Sequence, residues 1–210
     1  MDYKNLIHRS FSSFFLIILF LLLINFFEIY IPIVLILIYV IILCEIYFSN
    51  YNKKNNYFLL VLYLIFSFIC SEFYFIYFYE KDIFIYFIVL IISFDTFSYI
   101  FGSLFGEKKL IPKISPNKTV LGFFFGFVLT LFVSITFNFY YEFYNFFKAL
   151  FFCILIIISS FLGDVIESFY KRIFEIKNSS NIIPGHGGLF DRLDGFVMSI
   201  ITLFLFSYFL

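Results

Sequence analysis

What most constrains this chain is a recurrence of long apolar runs, each close to the length of a bilayer-crossing helix, separated by short polar joints. Hydrocarbon holds no water to satisfy backbone N–H and C=O groups, so a spanning segment must close its hydrogen bonds as a helix or within a closed barrel. A crossing helix takes about 20 apolar residues, with a range of roughly 17 to 25. Runs of that kind predict spans near 11–27, 31–48, 57–79, 83–104, 119–140, 145–163 and 189–210. The expected fold is therefore an all-α polytopic membrane protein with about seven transmembrane helices. Composition agrees, since a chain of 210 residues that is 63% hydrophobic and 13% charged lies well outside soluble-domain averages.

Orientation follows from the basic residues, which collect in cytoplasmic loops. With the N-terminus inside and the spans alternating, Lys4, Arg9, Lys53, Lys54, Lys108, Lys109, Lys113, Lys118, Lys171, Arg172, Lys177 and Arg192 all fall on the cytoplasmic side. Only Lys81 and Lys148 fall outside. This predicts a multi-pass protein with its N-terminus in and its C-terminus out, in the inner membrane if the cell is bacterial, with its chemistry facing the cytoplasm. Lys4 and Arg9 before an apolar run look superficially like a signal peptide, but the run is too long and no small-residue cleavage site follows, so a retained span is expected. With 14 basic and 14 acidic residues and no basic face, nucleic acid is not an expected partner. Cys44, Cys70 and Cys153 lie inside apolar runs without metal-ligand spacing, which assigns them to packing.

Charged residues are few enough to be weighed one by one. His8, Glu28 and Glu45 fall at expected span ends and read as solvated or snorkelling side chains. Glu72, near the outer end of its run, reads as interfacial. Asp95 is different, because it stands about nine residues, or roughly 13 Å, inside the fourth span, where a carboxylate is costly unless paired or wet. It is either a structural partner for a base such as Lys118 or part of a site. The loop 105–119, FGEKKLIPKISPNKT, combines four lysines with Pro112 and Pro116, which suggests a shaped connection with Lys118 as a candidate phosphate ligand. Gly122 and Gly126, four apart, suit close helix packing.

The densest chemistry lies at 164–195. On a helix, Asp164, Glu167, Ser168, Lys171 and Glu175 share one face and Val165, Ile166, Phe169, Ile173 and Ile176 the other, which predicts a cytoplasmic amphipathic helix. Pro184-Gly185-His186-Gly187-Gly188 follows as a Gly-rich loop whose backbone can approach a ligand closely. Asp191 and Asp194 then stand one turn apart. The apolar run 196–210 is too short to cross alone, so the last helix must begin near Leu189, drawing these aspartates to headgroup depth. Asp164, Asp191 and Asp194 offer the oxygen ligands that Mg²⁺ takes, with a second metal ion left open. Lys171, Arg172, Lys177 and Arg192 can clamp phosphates, and His186 and the Gly187-Gly188 backbone can donate to them. Positioning and charge neutralisation of this kind are most of what phosphoryl-type transfer needs.

Ser168-x-x-Lys171-Arg172-x4-Lys177, then Ser180, Ile183-Pro184-x-His186-Gly187-Gly188-Leu189-x-Asp191-Arg192-Leu193-Asp194, closely resembles the signature of the phosphatidate cytidylyltransferase (CDP-diacylglycerol synthase) family. Gly163-Asp164, Glu167 and the run from Asp95 through Tyr99, Gly102, Gly106, Pro112, Ser115-Pro116 and Lys118-Thr119 to Gly122 resemble that family too. The resemblance covers roughly residues 90 to 196. It implies transfer of a cytidylyl group from CTP to phosphatidate, giving CDP-diacylglycerol and pyrophosphate. In that reading Asp164, Asp191, Lys171, Arg172 and His186 are catalytic, and Ser168, Lys177, Arg192, Lys118, Gly187 and Gly188 bind substrate. Asp164, Asp191 and Asp194 hold metal, Asp95 and Glu167 support them, and a homodimer is left open.

Asn178 stands where the family has an Asp, and Leu121 where it has a polar residue, with Tyr170 a lesser departure. The chain is also shorter than is typical of the family, which suggests fewer N-terminal spans. Rival readings are a related CTP-dependent lipid kinase or synthase, a non-catalytic relative, and a transporter using Glu72 and Asp95. A functional division into 1–82, spans with little chemistry, and 83–210, a catalytic membrane domain with cytoplasmic loops 105–119 and 164–195, follows from this distribution.

Overall fold

The computed structural model describes residues 25–26, 28–48, 57–176, 179–180 and 187–209. Most of the first expected span, together with Lys177, Asn178 and His186, lies outside them. Six helices among the described residues are long and apolar enough to cross a membrane: α1 Ile31–Phe48, α2 Tyr57–Tyr77, α3 Lys81–Phe105, α4 Val120–Tyr141, α5 Phe146–Ile173 and α6 Phe190–Phe209. They coincide with the last six expected spans, and the chain is a multi-pass membrane protein. Large side chains such as Phe132, Phe139 and Phe147 stand exposed on the helix exteriors, as lipid contact requires.

Two features differ from the sequence expectation. Between α3 and α4 lies an antiparallel ribbon of β1 Lys109–Ile111 and β2 Ser115–Thr119, which pairs Lys109 with Thr119 and Ile111 with Ser115 around an irregular register. The charged segment that begins at Asp164 is not a separate amphipathic helix. It continues α5, whose 28 residues run about 42 Å, long enough to pass through the hydrocarbon and project beyond it. No proline interrupts it, and Lys171 and Arg172 in its last turn complement the negative helix end. The helix closes where Glu175 adopts a left-handed φ of 57° and Ile176 N–H donates to Lys171 O at 3.0 Å.

The described chain forms two compact units. One comprises the described residues up to Ile76 with Tyr170–Leu193, and the other Tyr77–Phe169 with Asp194–Leu210. In the first, Leu35, Tyr39, Ile42 and Ile46 form the buried stripe of α1, and Tyr39 Oη lies 2.6 Å from Ser67 Oγ of α2. In the second, α4 buries a stripe of small residues, Gly122, Gly126, Thr130 and Ser134, against α3. A Cβ on Gly122 would stand 2.6 Å from Ser98 O and one on Gly126 2.0 Å from Ser98 Oγ, so the expected small-residue packing is present. Asn138 secures the turn from α4 to α5 by exchanging two hydrogen bonds with the Tyr144 backbone at 2.8 and 3.0 Å.

Candidate active site

The second unit gathers carboxyl groups around a close helix crossing. A Cβ on Gly163 of α5 would lie 2.2 Å from Asp194 O and 3.0 Å from Gly195 Cα of α6. A Cβ on Gly195 would lie 2.7 Å from Ser160 Oγ and 3.4 Å from Asp164 Oδ1. The two backbones therefore meet glycine to glycine, and each glycine is flanked in sequence by an aspartate. Gly163-Asp164 on one helix and Asp194-Gly195 on the other bring their carboxyl groups within electrostatic reach of each other. Glu167, one turn beyond Gly163 and buried, and Asp95 of α3 also act on Asp194.

Asp95 is exposed although it stands well inside a spanning helix, and Ser160 Oγ donates to it at 3.4 Å. Lys118 enters the cluster from the ribbon. Its Nζ ion-pairs with Asp164 Oδ2 and sits 5.0 Å from the centroid of the Phe161 ring. Asp95 feels both Lys118 and Asp164, but Asp164 takes the direct bond, so the alternative of a simple Asp95–Lys118 pair is not what the structure builds. The ribbon is what delivers this lysine. Gly106 ends α3 by donating to Gly102 O at 3.1 Å, and a Cβ there would stand 2.3 Å from Thr119 Oγ1. Val120 N–H donates to Lys108 O at 3.0 Å, and Thr119 caps α4 by accepting from Gly122 N–H at 3.1 Å.

The first unit arranges the signature loop around two other carboxylates. Asp191, in the first turn of α6, accepts from Ser179 N–H at 3.0 and 3.1 Å and from Gly188 N–H at 3.0 Å. Lys171 Nζ lies 3.6 Å from its Oδ1. Arg172 and Arg192 are exposed, as phosphate ligands need to be. Glu45 is a correction to the sequence reading. It is neither solvated nor snorkelling: it is 3% exposed and accepts four hydrogen bonds from the loop. Ser179 Oγ donates to it at 3.5 Å, Ser180 Oγ at 2.7 Å, Leu189 N–H at 2.7 Å and Phe190 N–H at 3.0 Å. The overlooked signal is its place beside the stripe of Tyr39 and Ile42. Because α1 is apolar on every side, the sequence does not mark which face is buried.

The donor chemistry suits a hard divalent cation. Asp95, Asp164, Glu167 and Asp194 bring four carboxyl groups within electrostatic reach of one another beside Lys118, and oxygen donors of this kind are the ligands Mg²⁺ prefers. Among the described residues, no three His, Cys, Asp or Glu side chains already converge as a finished metal centre.

Known proteins resemble this chain over the same region. A family model described as the cytidylyltransferase family matches residues 78–210. A phosphatidate cytidylyltransferase of Staphylococcus haemolyticus is 47% identical over 104 residues, which is 49% of this chain and 40% of that protein. Its counterpart in Staphylococcus saprophyticus is 49% identical over 105 residues with the same coverage, and that of Staphylococcus epidermidis 43% identical over 104. The chain thus spans about two fifths of the length of these relatives. Because the matched family region takes in the ribbon, the Gly163–Gly195 crossing and the loop ahead of α6, the chain belongs to the cytidylyltransferase family.

Proposed function

We propose that this protein transfers a cytidylyl group from CTP to phosphatidate, giving CDP-diacylglycerol and pyrophosphate. The observation that carries the reading is that the family match over 78–210 contains both the Lys118–Asp164 pair and the Asp164–Asp194 juxtaposition, a charged centre on helices that otherwise suit lipid. The relatives at 43–49% identity carry the name of that activity.

In this reading a phosphate oxygen of phosphatidate attacks the α-phosphorus of CTP. A new P–O bond forms as the bond to the β-phosphate oxygen breaks, and pyrophosphate departs without a covalent enzyme intermediate. Asp164 and Asp194 in one unit and Asp191 in the other are the residues proposed to bind Mg²⁺, which when bound supplies neutralisation of charge on the α-phosphate and the leaving group. Asp191 Oδ2 accepts from both Ser179 and Gly188 and Oδ1 from Ser179, so a metal would meet this residue through Oδ1. Lys171, Arg172, Lys177 and Arg192 bind and orient the phosphates, and His186 donates to them. Lys118 holds Asp164 in place, and Asp95 and Glu167 complete the carboxyl surround. Charge bias in the loops supports a cytoplasmic location for this chemistry, where CTP is available.

The test is direct. Purified protein in detergent receives CTP, phosphatidate and Mg²⁺, and CDP-diacylglycerol and pyrophosphate are quantified. Stoichiometric appearance of both supports the assignment, whereas no product at any lipid composition overturns it.

A further inference from the structure

Glu45 lies outside the family-matched stretch, yet it accepts four hydrogen bonds from residues of the signature loop and the start of α6. A buried carboxylate is costly unless its lone pairs are met by donors. Here each oxygen takes one backbone N–H and one hydroxyl: Oε1 accepts from Leu189 N–H and Ser180 Oγ, and Oε2 from Phe190 N–H and Ser179 Oγ. Leu189 and Phe190 present the first N–H groups of α6, which have no partner within the helix and carry its positive end. Ser179 and Ser180 lie on the opposite flank of the segment 181–186. One carboxylate on α1 therefore joins Ser179 and Ser180 to the start of α6. Gly188 fits beneath it because a Cβ there would stand 1.8 Å from Ser179 Oγ and 2.9 Å from Glu45 Oε2.

The second carboxylate of the loop completes the arrangement. Ser179, whose hydroxyl reaches Glu45, gives its N–H to Asp191, and Gly188 does the same. The orientation of Asp191, and of Arg192 beside it, is thus set by a loop that Glu45 holds. We infer that Glu45 is a positioning residue for Asp191 and Arg192, acting on them through Ser179, Leu189 and Phe190. This rests on the cytidylyltransferase reading for its kinetic consequence, but not for its structural one.

Glu45→Gln is the informative variant. Since each oxygen faces a backbone N–H, the amide NH₂ must meet a backbone donor whichever way it turns, while size is conserved. In detergent with saturating phosphatidate, the KM for CTP and the Mg²⁺ concentration for half-maximal rate are expected to rise at least about tenfold, with the KM for phosphatidate within about twofold of wild type. A merely destabilised protein would lose active molecules and lower kcat alone. Glu45→Asp, which keeps the charge one methylene shorter, should recover part of the CTP KM. Hydrogen exchange at Leu189 and Phe190 is expected to accelerate in Glu45→Gln while the α3–α4 pair stays protected. Wild-type KM values together with unchanged exchange would overturn the assignment. If the wild-type protein makes no CDP-diacylglycerol, the exchange result still decides the role of Glu45, so the two readings fail separately.

Discussion

Replacing Gly163 by alanine tests whether the helix crossing builds the site. The added Cβ would stand 2.2 Å from Asp194 O, about 1 Å short of the ~3.3 Å at which carbon and carbonyl oxygen meet. The atom struck is backbone, so no rotamer change relieves it, and α5 and α6 must separate locally. Overpacking of this kind costs about 1–3 kcal/mol, and the better helix propensity of alanine returns about 1 kcal/mol. The net loss of stability is therefore modest, on the order of 0–2 kcal/mol. Activity should suffer far more, because the same separation moves Asp194 relative to Asp164, and a displacement near 1 Å can lower a rate on the order of 100-fold. The assay is turnover per folded molecule, with folding followed by helical circular dichroism during heating in detergent. Gly126→Ala is the control: its Cβ would meet Ser98 Oγ, in the α3–α4 contact rather than at the carboxylates, and should alter stability without a comparable loss of turnover. Wild-type turnover in Gly163→Ala would refute the idea that the crossing positions the aspartates.

Further outcomes follow from the same contacts. Lys118→Met removes the ammonium that pairs with Asp164 while retaining an apolar stem against Phe161, and turnover should fall at least about tenfold with folding retained, as measured by initial rates and circular dichroism. Asp164→Asn and Asp191→Asn should each abolish Mg²⁺-dependent turnover in protein that still folds; activity retained in both would remove the metal assignment. Asn178→Asp restores the residue that the family pattern carries, and a rise in rate would identify Asn178 as impairing, while an unchanged rate would make the position structural.

The positions of the helices were legible because lipid imposes them. A run such as 31–48 has no other way to satisfy its backbone, and the observed helix Ile31–Phe48 has those same bounds. The start of the last span was legible for a similar reason, since 15 apolar residues cannot reach across and the helix had to recruit Asp191 and Asp194. Periodicity was less informative at Asp164. A change from apolar to amphipathic composition marks where a helix leaves lipid, not where it ends, and α5 runs on through that change. The ribbon at 109–119 escaped notice because its strands are short and its lysines and prolines read equally well as an irregular loop.

Of the candidate site, the sequence by itself named the candidate groups, the aspartates, the basic residues near the loop and the glycines, and it determined their family. These are local, since motif spacing along a helix or loop is a property of neighbours in the chain. Only the tertiary structure decided which of them meet. Asp95, Lys118, Asp164 and Asp194 come from three helices and a ribbon, joined where Gly163 and Gly195 let two backbones touch. Glu45 reaches partners 134 to 145 residues away. In a helix that lipid makes apolar all round, no pattern marks the face that turns inward, so the meaning of a carboxylate there is settled by what packs against it.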